Sequence, residues 1–535
     1  MSIRWGYLKR VLAGAIFGLY MAHLLFYLNP QVDITLGRLA IVTAVYGLTC
    51  GLLFGTILWL LHALRARIAG NPEHRSSHGF GFVVFAAFIS CAIYWMHLRV
   101  IGINYLPVGA IRILSKATNN ITLTAFMLLA IWAVERNADR RMSRALFLFG
   151  VVLIALSSIW LYQRRERYRT ETRNVVVANI GAVAGHRPVT LVAVRNLPYD
   201  WIVTMRGEGL LPNIGEAADR GYFTRVEPFP TTSPKALWAS LATGKLPYRH
   251  GVTGRFSYKT PLNPQEPFLL LPSGVGFQAW GLIPPVERIS AQLPAGDALP
   301  LWGLYQRVEL PASVIAWESA VKPPAGNIAA LGTLAQRFNA TGDARPRILR
   351  ALASDVATAT KAVDSNALLT VLALDGYAEA QKALHIFTNE LPARATMKGD
   401  ALRAYAQEID RALGAIARAH PDRLLIVVSP SAVVPPELPT SAWALGIRAL
   451  TPDDPGEDDG FLLIDGIGAA PRANPKDAFV TDIVPTVLFA AGLPVGRDMD
   501  GHALTEGFND EFLRRSTLSA IQTYEAERVV VRRAG

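Results

Sequence analysis

The segment PFPTTSPKALWASLATGKLPYRHGV, Pro228–Val252, sets two hydroxyl residues, Thr232 and Ser233, directly before Pro234 and an apolar run that predicts a helix. A hydroxyl attacks an ester once a base or a metal ion draws off its proton. Thr232 and Ser233 are therefore the candidate nucleophiles, and His250 in the same segment is an acid/base or ligand candidate. Such chemistry needs partners from the rest of the chain. The stretch LDGYAEAQKALH, Leu374–His385, offers Asp375, Glu379, Lys382 and His385; LVAVRN ends on Arg195 and Asn196, with Asp200 close behind.

The elements that position these residues are legible from about Pro188 onward. Apolar strands alternate with helices, the pattern of βαβ units around a mostly parallel sheet. VTLVAV (Val189–Val194), RVEPF (Arg225–Phe229), SVIAWES (Ser313–Ser319), ALLTVLAL (Ala367–Leu374), RLLIVVSP (Arg423–Pro430) and GFLLIDG (Gly460–Gly466) read as strands. LLPNIGEAADRGYFT (Leu210–Thr224), Ala236–Thr243 and VTDIVPTVLFAAG (Val480–Gly492) read as helices with glycine stops. The Pro-rich region from Tyr258 to Pro300 lacks periodicity and reads as an insertion over the sheet.

Ahead of this lies a different kind of sequence. The chain has 535 residues, of which 51% are hydrophobic and 18% charged, and the apolar residues concentrate at the front. Five runs approach the length of a ~30 Å hydrocarbon core: Val11–Leu28, Leu39–Leu64, Phe80–Leu98, Ile121–Val134 and Ala145–Tyr162. Both cysteines, Cys50 and Cys91, fall inside them, so the remainder has no disulfide. The net charge of +11 comes largely from Arg flanking the apolar runs. That directs it to lipid headgroups rather than nucleic acid. Arg4, Lys9 and Arg10 before the first run, Arg65, Arg67 and Arg75 after the second, and Arg136, Arg140, Arg141 and Arg144 after the fourth favour a cytoplasmic N-terminus. An odd number of spans then exports the rest. Arg164, Arg165, Arg167, Arg169 and Arg173 after the fifth run weigh the other way. LPVGAIRILSKA, Leu106–Ala117, reads as a surface-lying helix or a loop. Few ionisable residues enter the runs; His23, His62 and His97 are the main ones, which weakens a transporter reading.

Taken in order, four segments resemble the alkaline phosphatase superfamily, nearest its type I phosphodiesterase/nucleotide pyrophosphatase branch. They are LLPNIGEAADRGYFT, the Pro228–Val252 segment, DGFLLIDGIG, and VTDIVPTVLFAAGLPVGRDMDGHALTEGF. The resemblance implies two divalent metals held by Asp and His at the carboxyl ends of the strands, and in-line attack by Thr or Ser. Ligand by ligand, the chain departs from that pattern. Arg195 stands for the first Asp, Ala378 and Lys382 for an Asp and a His, Pro430 and Ser431 for the next Asp and His, and Gly456 or Glu457 for the last His. Trp238 lies five residues beyond Ser233, one more than the pattern has, and the resemblance gives His250 a turn-packing role.

The expected organisation is an α-helical transmembrane region of about five spans (1–165), a basic juxtamembrane linker (166–187), an alkaline-phosphatase-like α/β domain (188–510, insertion about 255–310) and a C-terminal tail (511–535). The expected function is a catalytically degenerate binding, scaffold or regulatory subunit of a membrane assembly. The alternative is an active phosphodiesterase or phosphotransferase on lipid- or glycan-linked substrates. Arg195 and Lys382 are the expected anion-binding residues, with Thr232 and Ser233 as vestigial nucleophiles. No metal and no other cofactor is expected. The expected partners are membrane lipids, a membrane protein and an anionic ligand, and the expected place is the inner membrane with the domain extracytoplasmic.

Overall fold

The structure is a computed structural model that describes residues 2–30, 32, 36–69, 80–102, 108–135, 140–166, 168–173, 185–229, 234–252, 256–260, 263–268, 287–290, 298–317, 332–387, 390–431, 459–525 and 527–532. The five apolar runs become five helices: α1 (Ser2–Leu28), α2 (Leu36–Ala69), α3 (Phe80–Met96), α4 (Val108–Glu135) and α5 (Arg140–Glu166). Length and composition let three stretches cross a membrane, Arg10–Leu28, Gly109–Glu135 and Arg141–Arg165. The apolar parts of the other two, Gly47–Leu61 and Val83–Arg99, are shorter. Among the described residues three stretches thus meet that length and composition, and the count of five is not confirmed. The segment expected to lie on the membrane surface is instead the first turns of α4. Its Ile113, Leu114 and Ala117 are buried in the bundle, because its apolar residues find partners there.

Close packing of α1 on α2 depends on small residues. A Cβ on Gly51 would come within 2.7 Å of the Val11 carbonyl oxygen and 2.9 Å of the Ala15 Cβ. Where a hydrophobic drive is absent, such close backbone approach is what holds helices together. Polar bonds cross the bundle too. The Tyr20 hydroxyl donates to Asn120 Oδ1 at 2.8 Å, and Thr124 and Ser157 hydroxyls meet at 3.3 Å. Arg165, 9% exposed, donates through Nε to the Phe26 carbonyl at 2.9 Å and through Nη2 to that of Val32. The Phe26 carbonyl lies in the last turn of α1, where it also accepts the Asn29 amide at 3.3 Å, and Val32 lies just beyond the helix. The bond fixes the ends of α1 and α5 on one face of the bundle, with the start of α1 on the other.

Beyond the bundle, β1 (Tyr168–Arg173) leads to β2 (Val189–Val194), α6 (Tyr199–Gly207), α7 (Pro212–Arg220), β3 (Tyr222–Glu227), α8 (Pro234–Thr243) and the one-turn α9 (Pro247–His250). Tyr222–Thr224, expected in a helix, begin β3, because Gly221 stops α7 where a Cβ would strike the Ile464 carbonyl. A small antiparallel sheet of β4 (Phe256–Thr260), β5 (Asn263–Pro267) and β6 (Glu287–Ser290) follows. The insertion ends sooner than 310, since Leu301, Leu304 and Tyr305 of α10 (Leu301–Arg307) are buried in the domain core. Next come β7 (Ala312–Ile315), α11 (Gly332–Arg337), α12 (Arg345–Val363), β8 (Leu369–Leu374), α13 (Gly376–Ala383), α14 (Met397–Ala419), β9 (Leu424–Ser429), β10 (Gly460–Asp465), β11 (Ala478–Phe479) and α15 (Ile483–Ala491).

The main sheet runs β11-β3-β10-β9-β2-β8-β7, all parallel except β10. Strands β2, β8, β9 and β10 are buried along their whole length. That is why they read as unbroken apolar runs. One core packs on each face of the sheet, α7, α12 and α14 on one side, α8, α10 and α15 on the other. The chain returns through β12 (Val495–Gly496), α16 (Asp510–Arg515) and β13 (Ala520–Ile521) to β14 (Glu527–Arg532), which pairs antiparallel with β1. The expected linker and tail therefore meet as one ribbon. The domain also touches the bundle. Tyr248 of α9 packs against the helical core, and Phe268 stacks near Phe26 of α1 with ring centroids 5.5 Å apart.

Candidate functional site

Strands β2, β8, β9 and β7 end side by side, and the residues following them form the rim of a crevice, where sheets of this kind bind ligands. Arg195 follows β2 and Asp375 follows β8. Because the two strands pair in register from Val189↔Leu369 to Val194↔Leu374, the next residues are neighbours. Arg195 Nε donates to Asp375 Oδ1 at 2.7 Å, with side chains 27% and 33% exposed. The Arg195 guanidinium carbon also lies 4.4 Å from the centroid of Trp238, on α8. Trp238 packs edge-to-face on Trp317, and Trp317 on Trp302, at 5.1 and 5.3 Å.

Asp375 and Trp238 hold the guanidinium by one edge and one face. Its only hydrogen bond to a described residue is the one through Nε, and neither terminal nitrogen donates to a described residue. The backbone here is strained. Asn196, beside Arg195, has φ 59°, and Ala316, beside Trp317, has φ 59°. Asparagine tolerates that region; for alanine it costs about 1–2 kcal/mol. A residue held there marks a place the surrounding structure over-determines.

Behind the rim, Asp355 of α12 is buried and receives the Gly376 amide on both oxygens at 3.2 and 3.1 Å, and the Tyr405 hydroxyl at 3.0 Å. Burial pushes its carboxyl up to about 7. Gly376 is required, since a Cβ there would collide with the Tyr405 hydroxyl and Asp355. Gln381 ties α13 to the β2 end by donating to the Asn196 carbonyl at 2.9 Å.

Lys382 takes another partner. It pairs with Glu379 at 2.7 Å on α13, with side chains 55% and 52% exposed. Asp200 pairs with Arg225 at 3.0 Å. The acid beside Arg195 is Asp375, the residue of LDG in the sequence. Thr232 and Ser233 lie outside the described residues, as do Gly456 and Glu457. The described positions that the resemblance would give to metal ligands hold Arg195, Ala378, Lys382, Pro430 and Ser431. Of these only Ser431 carries an oxygen donor on its side chain, and two are cations. This set does not fit a divalent ion, which takes carboxylate, imidazole or thiolate. Among the described residues there is no group of three or more His, Cys, Asp and Glu that could hold one.

His250 has a different use. It is fully buried, accepts the Val252 amide on Nδ1 at 3.1 Å, and lies 2.9 Å from Ser240 Oγ through Nε2. With Nδ1 accepting, Nε2 carries the proton and donates to Ser240. Burial, then the charge of Lys245, pushes its pKa down to about 3. His250 is thus a neutral strut between α8 and α9. Lys245, between those helices, donates to Asp498 at 2.6 Å and to Glu525. Arg249 pairs with Asp500 at 2.8 Å, and Asp500 also accepts the Leu246 amide at 2.8 Å. The familiar text SLATGKLPYRHGV and VGRDMDG thus forms one buried clamp. His502 is exposed.

Trp317 and Trp302 were not picked out from the sequence. The cue was a bulky aromatic at the end of the strand SVIA. No family model matches the sequence, and no curated protein matches it. Solved structures do resemble the chain. Wild-type alkaline phosphatase PafA covers 61% of this chain with 100% of its own at 11% identity and TM-score 0.40. Human ectonucleotide pyrophosphatase/phosphodiesterase 5 covers 61% with 100% of its own at 12% identity and TM-score 0.35. BT1596, a 2-O GAG sulfatase, covers 61% with 74% of its own at 12% identity and TM-score 0.38.

Proposed function

We propose that this chain is a membrane-anchored, alkaline-phosphatase-like protein that binds an anionic group at the crevice and does not turn it over, serving as a binding or scaffold subunit of a membrane assembly. One observation carries the reading: Arg195 is held by Asp375 and Trp238, and its terminal nitrogens donate to no described residue. A planar guanidinium fixed in this way presents two parallel N–H bonds to a phosphate, sulfate or carboxylate. The ligand set argues against metal catalysis by its chemistry. Lys382, engaged with Glu379, plays a lesser part.

The proposed topology puts the domain outside the cytoplasm. Arg165 ties the ends of α1 and α5 to one face, so the start of α1, with Arg4, Lys9 and Arg10, is at the opposite face from the domain. Cationic flanks favour the cytoplasmic side. Titration of inorganic phosphate into the full chain in nanodiscs tests the anion site. Arg195→Ala is expected to weaken binding by roughly 1.5–3 kcal/mol, the range for hydrogen bonds to charged groups. Equal binding by both forms would sink the reading. Hydrolysis of aryl phosphate esters that is lost on chelation would replace it with the active-enzyme alternative.

A further inference from the structure

Among the described residues of the bundle, the polar atoms of His23 and Ser158 are buried with no hydrogen-bond partner. Both ring nitrogens of His23 on α1 are shielded from solvent and unbonded, and so is the hydroxyl of Ser158 on α5, a residue 3% exposed. Contacts on either side bracket both residues. Below them, Tyr20 and Ser157 are bridged by Thr124, at 3.4 and 3.3 Å. Above them, Tyr27 meets Trp160 with ring centroids 6.5 Å apart, and Arg165 reaches the Phe26 carbonyl. His23 and Ser158 are bracketed by these contacts on parallel helices, five and eight residues from the ends of α1 and α5, which puts both in the domain-facing half of the bundle.

Buried polar groups are almost always satisfied by protein or by water. An ionisable residue within a membrane span marks a water-filled or functional site by default. The neighbouring groups are a hydroxyl chain (Tyr20, Thr124, Ser157) and the Arg165 cation, not hydrocarbon alone. We propose that His23 and Ser158 flank a hydrated polar site in the bundle, which takes water or a small hydroxylated molecule and is entered from the domain-facing side. The imidazole offers one donor and one acceptor and the hydroxyl offers both, which matches what a bridging water requires. Water there gives protons a route to His23.

The test uses the full chain in nanodiscs with Cys50 and Cys91 replaced by alanine. A cysteine is placed at Ser158, at Leu161, which is 0% exposed, or at Leu156, which is 59% exposed and faces outward. A charged, membrane-impermeant methanethiosulfonate is then applied. Only water-borne thiolate reacts with it. Ser158→Cys is expected to react roughly tenfold or more faster than either control, since a charged reagent enters hydrocarbon at high cost. A second measurement guards against misfolding of the cysteine variants. His23→Leu should lower the thermal midpoint if its nitrogens bond water, and raise it if they are dry. Equal rates at 158 and 161, or a raised midpoint in His23→Leu, overturns the proposal.

Discussion

Two charged clusters, one at the end of β2 and one just past α8, are built in opposite ways. At the crevice, Arg195 and Asp375 are about a third exposed and bonded through a single nitrogen. Just past the end of α8, Lys245 is 6% exposed at its side chain, Glu525 4% and Asp498 11%, and the lysine serves both acids. The first cluster is partly exposed among the described residues. The second is closed, and it joins α8 to the segment after α15. The text that resembles hydrolase sequence divides between these roles. Its polar residues at the clamp pair with one another and with the segment after α15, and so hold the fold together.

The sharpest way to break this comparison is Lys245→Met. It strands Glu525 and Asp498 as buried, uncompensated carboxylates, and loss of one partner from a buried pair costs about 3–5 kcal/mol. Chemical denaturation of the full chain should show a large loss. A loss below about 1 kcal/mol would put the clamp in the class of exposed pairs.

Acidity separates the two regions next. For His250, in the clamp, the folded value is about 3 against an ordinary 6.5. Between those values the unfolded chain holds a proton that the folded one lacks, so stability falls as pH falls from 6.5 toward 3. For Asp355, behind the crevice, the folded value is about 7 against 3.8. The folded chain then holds the extra proton, so stability falls as pH rises from 3.8 toward 7. Melting curves from pH 4 to 8 should lose their acid-side fall in His250→Asn and their rise-side fall in Asp355→Asn. Unchanged profiles in both variants would refute the assignment.

The smallest effect belongs to Lys382→Ala. Its pair with Glu379 is exposed and three residues apart on one helix, worth about 0.2–0.5 kcal/mol. Phosphate affinity and the melting midpoint should both stay near wild type. A tenfold loss of phosphate binding would return Lys382 to the anion site beside Arg195.

How much of this could be read in advance depends on what each signal rests on. The buried strands announced themselves because both faces of the sheet are covered, leaving VTLVAV and LLIVV without polar interruptions. Helices α12 and α14 were missed. The signal was present: Ile348, Leu349 and Leu352 on α12, and Leu402, Tyr405, Ile409, Leu413 and Ile416 on α14, recur at helical spacing and are buried, but the many Ala and Arg between them dilute the apolar pattern. At the site, the strand end fixed the place of Arg195. Its partner did not follow from order along the chain, because Asp375 arrives from a strand 180 residues later. Only the in-register pairing of β2 with β8 makes them neighbours. The same limit hid the use of Lys245, whose acids lie 253 and 280 residues on.

The ribbon of β1 and β14 carries a consequence for biogenesis. Tyr168–Arg173 leaves the last membrane helix, and its ladder partner is Glu527–Arg532. At roughly 5–20 residues per second of synthesis, the partner follows by something like twenty seconds to a minute. For that interval β1 is an open strand edge at the mouth of the bundle, the feature that invites pairing with other chains. Its sequence, YRTETR, alternates charge through it, which is how exposed edges are kept from such pairing. The ribbon therefore closes only after β14 has been made, long after the bundle it adjoins.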